Sequence, residues 1–195
     1  AWWPRQDHGP QYRYLYRVLQ LIGADDARPW LLKDPSSIMC MPLLFETFPD
    51  AKLIYTHRDP LEIIPSVPAV VAGAQALSLG DRVDVRSTAA RSAEVWSDGA
   101  NQLASPAVVA MPHMDVYLRD FQADRMRTVR EIYDRFGFTL SKEAETAMLA
   151  RIEEDAAEKP APKFTPDEFG LDAKRLREQF APYIERFGPF DRKRT

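Results

Sequence analysis

Two basic side chains, Lys33 and Arg58, each stand directly before an Asp-Pro pair. In both segments the aspartate can cap a following helix, and the proline can occupy its first turn. The free N–H groups and the dipole at such a helix start favour an anion, and the guanidinium of Arg58 offers paired donors that suit a phosphate. Ser66 lies within two turns of the second helix start and adds a hydroxyl donor. The pattern predicts a site for an anionic, phosphorylated ligand.

The residues around these segments predict alternating strands and helices. A short apolar run at 30–32 precedes the first basic residue, and a β-branched and aromatic run at 52–57 precedes the second. Helical apolar spacing follows each Asp-Pro pair, although Pro65 and Pro68 must shorten, kink or interrupt the second helix. Strands that alternate with helices form parallel sheets, with ligands at the carboxyl ends of the strands. The predicted fold class is α/β, with a short parallel sheet flanked by helices.

The rest of the chain continues this pattern within one domain, residues 1–195. Further short strands are predicted at 107–110 and 115–118, and a helical stripe from Met126 is predicted to end at Gly137. The Pro-rich segment 158–162 is the best linker candidate but is too short to separate domains.

Composition excludes several kinds of site. No pair among the eight glycines has the separation of a Walker-type phosphate loop, and no three fit Gly-x-Gly-x-x-Gly, so a nucleotide must be held by side chains and helix ends. The net charge of −3, without a long basic run, argues against duplex nucleic-acid binding by charge alone. The single cysteine, Cys40, excludes an intrachain disulfide framework and a cysteine-based metal cluster, and it favours a reducing, cytoplasmic location.

Membrane and metal sites are not expected either. The longest uncharged stretch, 63–80, is interrupted by two prolines and several glycine and serine residues, which argues against a membrane-spanning helix. His57 lies on a predicted buried strand and is interpreted as a core or supporting residue, whereas His113 follows a proline in a surface connection. Without paired histidine spacing, no metal site is predicted.

Each candidate residue also has a plainer interpretation. Lys33 or Arg58 can pair with a neighbouring carboxylate, and Ser66 can satisfy a backbone carbonyl of its own helix. Only the three together, in this order and at this spacing, favour ligand binding.

These motifs resemble the sulfotransferase family, whose members use 3′-phosphoadenosine 5′-phosphosulfate (PAPS) as the sulfuryl donor. The resemblance is carried by residues 30–36, by residues 48–60 and by Ser66, and it extends over 115–117, Asp124, 128–137, 169–172 and 180–183, so that it covers the chain from about Tyr12 to Phe187. It implies a P-loop-type three-layer domain and transfer of a sulfuryl group to a hydroxyl or amine of a small-molecule or carbohydrate acceptor.

The resemblance also implies roles for the candidate residues. Arg58 and Ser66 would bind the 3′-phosphate of the donor, and Lys33 would lie beside the active cleft. No residue is identified as the catalytic base, and no metal is implied. The acceptor and the oligomeric state are not predicted.

Departures from the family pattern leave a second hypothesis open. The family begins with a strand–loop–helix that holds the 5′-phosphosulfate, and nothing in this chain supplies it, so the domain is expected to lack its N-terminal strand–loop–helix. Ser37 stands where the family often has a histidine, and Lys163 and Phe164 replace a His-Arg-Tyr-like segment. The alternative is a degenerate, non-catalytic domain that binds a nucleotide or a protein partner.

Overall fold

The fold is described from a computed structural model of the chain, over residues 6–26, 28–157 and 163–190. It is a mostly helical α/β arrangement around a two-stranded parallel sheet, so the predicted fold class is confirmed. The helices and strands, in chain order, are α1 (Gly9–Ile22), α2 (Met41–Thr47), β1 (Leu53–His57), α3 (Pro60–Ile63), α4 (Ser66–Leu79), α5 (Val85–Leu103), α6 (Pro106–Val109), β2 (His113–Tyr117), α7 (Leu118–Ala123), α8 (Arg125–Phe136), α9 (Lys142–Ala157), α10 (Ala173–Gln179) and α11 (Ala181–Phe187).

The sheet brings the ends of β1 and β2 to one edge. The two strands are parallel, with Leu53 opposite His113 and His57 opposite Tyr117. Along β1, burial alternates, because successive side chains of a strand point to opposite faces. The buried face of β1 joins a core contributed by α2, α5, α10 and α11, which includes Met41, Tyr55, Leu103, Leu176, Phe180, Tyr183 and Phe187.

The segment after β1 forms the helix start that the sequence predicts. The carboxylate of Asp59 accepts a hydrogen bond from the backbone N–H of Leu61, and Pro60 is the first residue of α3. The helical path is then interrupted before α4 begins at Ser66, as the proline at position 65 requires. Arg58 therefore lies between a paired strand and a capped helix.

The segment after residues 30–32 has a similar cap but no strand before it. Asp34 caps a short 3₁₀ turn, Pro35–Met39, by accepting a hydrogen bond from the backbone N–H of Ser36. The predicted strand at 30–32 is wrong, because these residues form no ladder and the side chain of Leu31 is 92% exposed. Among the described residues no second strand lies beside them to pair their N–H and C=O groups, and a strand is defined by that pairing.

Of the other local predictions, one is confirmed, one is wrong and one lies outside the described residues. The left-handed Gly137, with φ of 71°, ends α8 as predicted. The predicted strand at 107–110 is wrong: Pro106 at the first helical position starts α6 there instead. The predicted linker at 158–162 lies outside the described residues.

The sequence argued against a membrane-spanning helix in the apolar stretch after β1, but in the structure this stretch passes a test for such a helix. Taken as one helical run, Pro60–Arg82 is long and apolar enough to cross a membrane, and only 17% of its apolar window is buried. A single helix that passes this test on length and composition is weak evidence for a membrane span. Within the described residues it is the one run that passes.

Candidate anion-binding site

A cavity of about 230 Å³ opens at the edge of the sheet where β1 and β2 end. His57 lines it from the end of β1 and Arg58 from the residue after that strand, Arg119 lines it from α7, and Lys163 lines it from the segment before the turn at 166–169. Three cationic side chains from distant parts of the sequence thus meet at the carboxyl ends of the strands. This is the edge at which open α/β sheets bind their ligands.

Glu62 links two of the three cations. Its carboxylate accepts a hydrogen bond from Arg58 Nε at 2.8 Å and lies 3.6 Å from a terminal guanidinium nitrogen of Arg119. The hydrogen bond from Arg58 outweighs partial burial and lowers the pKa of Glu62 below its ordinary value. These side chains are between 39% and 58% exposed, so their pairing costs little to open when a stronger anion arrives.

Ser66 does not reach this cavity as the structure stands. It is the first residue of α4, and its hydroxyl donates to the backbone carbonyl of Ile63 at 2.7 Å. The carbonyl partner is the plainer of its two sequence-based interpretations. The pairing of Ser66 with Arg58 on one phosphate therefore stays a prediction, since it requires the hydroxyl to exchange that carbonyl for the ligand.

Lys33 is exposed and lies apart from the cavity lining. Beside it, the carboxylate of Asp34 accepts hydrogen bonds from the hydroxyls of Ser36, at 2.6 Å, and Ser37, at 2.7 Å. Burial raises the pKa of Asp34, but the serine hydrogen bonds outweigh burial, and the pKa lies below its ordinary value. Ser37 also accepts a hydrogen bond from the Tyr12 hydroxyl at 3.2 Å. The serine at the family's histidine position is thus held within a local hydrogen-bonded cluster.

The two histidines near the sheet lie in one buried cluster. His57 is 1% exposed, which agrees with its interpretation as a core residue. His113, expected in a surface connection, instead begins β2, stacks on Tyr55 at 4.7 Å between ring centroids and approaches Asp115 at 3.5 Å. Burial raises the pKa of Asp115, yet the hydrogen bond from His57 and nearby positive charge outweigh burial, so the pKa is lowered. Strand register brings Asp115 and His113 to this position, and spacing in the sequence does not show it.

Arg119, Lys163 and Glu62 are the site residues that sequence reasoning missed. Arg119 follows a predicted strand end, as Lys33 and Arg58 do, and that position is the available signal for it. Within residues 6–26, 28–157 and 163–190, no group of three or more His, Cys, Asp or Glu side chains is arranged to hold a metal ion.

Comparisons with known proteins indicate the family and the fold of the chain. Residues 5–142 match the model of a family described as the sulfotransferase family. The sulfotransferase STF9 from Mycobacterium avium has a similar fold, with a TM-score of 0.84 and 24% identity over 94% of this chain and 48% of that one. The sulfotransferase STF1 from Mycobacterium tuberculosis H37Rv is 31% identical over 92% of this chain and 47% of that one, with a TM-score of 0.68. The chain thus spans about half the length of either protein. Comparison with curated proteins gave no match.

Proposed function

The chain belongs to the sulfotransferase family, and we propose that it acts in the transfer of a sulfuryl group from PAPS to a hydroxyl or amine of a small-molecule or carbohydrate acceptor. The observation that carries this proposal is the convergence of Arg58, Arg119 and Lys163 on one cavity at the ends of β1 and β2. Three cations face the two carboxylates of Asp59 and Glu62 there. The first of these carboxylates is engaged as a helix cap.

The size of the cavity supports a partial nucleotide site. Pockets that enclose drug-sized ligands have volumes of roughly 300–1,000 Å³, and this cavity has about 230 Å³. It suits one phosphate of the donor better than the whole nucleotide. In the proposed arrangement, Arg58 binds the 3′-phosphate, Ser66 adds a hydroxyl, and Lys33 stands beside the cleft.

The proposed reaction needs three contributions. A bond forms between the acceptor oxygen or nitrogen and sulfur, while the bond between sulfur and the bridging oxygen of the donor breaks, leaving adenosine 3′,5′-bisphosphate. The protein must hold the donor's anions, stabilise charge on the leaving oxygen and remove the acceptor's proton. Arg58 and its neighbouring cations supply the first contribution. A reducing, cytoplasmic setting remains our prediction from the single cysteine.

Binding of the leaving nucleotide tests the site directly. Isothermal titration calorimetry with adenosine 3′,5′-bisphosphate and with adenosine 5′-phosphate isolates the contribution of the 3′-phosphate. A hydrogen bond to a charged group is worth about 1.5–3 kcal/mol, so we expect Arg58→Ala to weaken the bisphosphate about 10- to 150-fold and to leave the monophosphate nearly unchanged.

Arg127→Ala is a matched control for this experiment. Arg127 pairs with Glu131 four residues later and is similarly exposed, but it lies on α8 and not in the cavity lining. Equal losses in Arg58→Ala and Arg127→Ala, or no binding by the unaltered chain, would overturn the assignment. Lys33→Ala should weaken the bisphosphate far less than Arg58→Ala.

A second candidate function is nucleotide or protein binding without turnover. It is favoured by the position of Ser37, whose hydroxyl donates to the Asp34 carboxylate, a weak base because its pKa is lowered. Turnover of labelled PAPS with a panel of alcohol, phenol, carbohydrate and amine acceptors separates the two. Bisphosphate binding without product on any acceptor would favour the non-catalytic domain.

A further inference from the structure

A buried polar network lies directly beneath Arg58. The imidazole of His57 is fully enclosed, with Nδ1 2.9 Å from the hydroxyl of Tyr183 and Nε2 2.9 Å from a carboxylate oxygen of Asp115. Phe187 stacks on the ring at 4.3 Å between centroids and an interplanar angle of 20°. The network thus joins the last residue of β1 to β2 and to α11, two elements distant in sequence.

The directions of the hydrogen bonds follow from the donors available. The Asp115 carboxylate offers only lone pairs while it is ionised, whereas the Tyr183 hydroxyl has a proton that it can donate. The acceptor within reach is Nδ1 of His57, so the imidazole carries its proton on Nε2 and donates it to Asp115. In this arrangement both ring nitrogens of His57 have a partner, Tyr183 on one side and Asp115 on the other.

We propose that Tyr183 is a positioning residue for the anion site: through its hydroxyl it fixes the imidazole of His57, the residue directly before Arg58, and so helps to aim the guanidinium at the phosphate. This inference rests on the proposed function, since it takes Arg58 as the phosphate ligand. The hydroxyl contacts the ring of His57, and in the proposal the phosphate contact is made by the Arg58 side chain.

Loss of the hydroxyl affects the site for a specific reason. In Tyr183→Phe the ring still fills its place in the core, but Nδ1 of His57 loses its partner in a buried position. Unsatisfied buried groups recover partners by shifting or by admitting water. A site that depends on placement within about 0.5 Å is sensitive to such a shift.

The test compares two ligands in one variant. In Tyr183→Phe we expect the dissociation constant of adenosine 3′,5′-bisphosphate to rise about three- to tenfold, the net worth of roughly one hydrogen bond. We expect the dissociation constant of adenosine 5′-phosphate to stay unchanged. The preference for the bisphosphate, which is the monophosphate constant divided by the bisphosphate constant, therefore falls. A general loosening of the fold would weaken both ligands alike. Tyr133→Phe, which removes a tyrosine hydroxyl on α8 outside the cavity lining, is the matched control.

A second pair of variants keeps the test decisive if Tyr183→Phe does not fold. Asp115→Asn retains an oxygen that can accept the Nε2 proton of His57, whereas Asp115→Ala removes it. We expect Asp115→Asn to preserve the preference for the bisphosphate and Asp115→Ala to reduce it.

The outcomes distinguish this inference from the proposed function. If Arg58→Ala abolishes the preference for the bisphosphate but Tyr183→Phe leaves it intact, the positioning role is overturned and the anion site stands. If Arg58→Ala has no effect on the preference, the anion site itself is overturned.

Discussion

The two basic–Asp–Pro segments have similar capped starts but different surroundings. After β1, the chain runs from a paired strand through Arg58 into α3, with His57 only 1% exposed behind it. After residues 30–32, the chain passes through an exposed Lys33 into a capped 3₁₀ turn, with no paired strand before it. The sequence pattern sets the helix start in both segments, whereas only the segment that follows a paired strand places its basic residue in the cavity lining.

The two basic residues also differ in the charged side chains that surround them. Arg58 shares its cavity with Arg119 and Lys163, which arrive from α7 and from the segment before residue 166. Lys33 has the local neighbours Asp34 and Ser36 but no place in that cavity lining. We therefore expect the two segments to respond differently when a side chain before the basic residue is truncated, and similarly when their caps are removed.

The largest expected contrast is in stability on truncation of the preceding segments. Tyr55→Ala removes a core ring that is 7% exposed and should lower the free energy of unfolding by about 3–5 kcal/mol. Leu31→Ala removes an exposed side chain and should cost less than about 0.5 kcal/mol. Urea unfolding followed by circular dichroism measures both. Comparable losses would mean that residues 30–32 are packed in solution as β1 is.

Removing the caps tests the part that the two segments share. Asp59→Ala and Asp34→Ala each delete a side-chain acceptor for a helix N–H and should each cost about 0.5–2 kcal/mol. Asparagine at either position keeps an acceptor oxygen and should recover most of the loss. A loss at Asp59 with none at Asp34 would show that the first helix start is not stably formed.

The smallest expected effect is in acid. Because the pKa of Asp34 is lower in the folded chain than the ordinary value, its contribution is complete above about pH 4 and is lost as the pH falls through the folded value. Asp34→Asn should therefore flatten the loss of stability between pH 4 and pH 2, by a small amount because the residue is exposed. Asp115→Asn should flatten the same window more, since the Asp115 side chain is 25% exposed and bonded to a buried histidine. Urea midpoints across this range provide the measurement. An equal change in the acid loss of stability in Asp34→Asn and Asp115→Asn would contradict the expected difference between the two carboxylates.

Local signals in the sequence predicted local structure well. The caps at Asp34 and Asp59, the interruption near Pro65 and the stop at Gly137 depend on a few adjacent residues, and all are present. The predicted strand at 30–32 failed because a strand needs a partner, and apolar composition does not supply one. The strand predicted at 107–110 failed because four apolar residues fit a helix as well, and Pro106 favours it.

The candidate site was only partly predictable for the same reason. Arg58 stands out because its strand, cap and helix are contiguous. Arg119 has the weaker signal of following a strand end, but only the parallel register brings that end beside Arg58. Lys163 joins them through the path of the C-terminal segment, which no spacing in the sequence encodes. The role of Tyr183 also depends on the fold, because it lies 126 residues from His57.

These separations bear on how fast the site forms. His57 meets Asp115 58 residues later and Tyr183 126 residues later, whereas the intervening helices close through local contacts. Contacts between distant residues carry the cost of loop closure and slow the folding of a domain. We therefore expect helix formation to precede strand pairing during folding. An early collapsed species would then have most of its helices and no anion site.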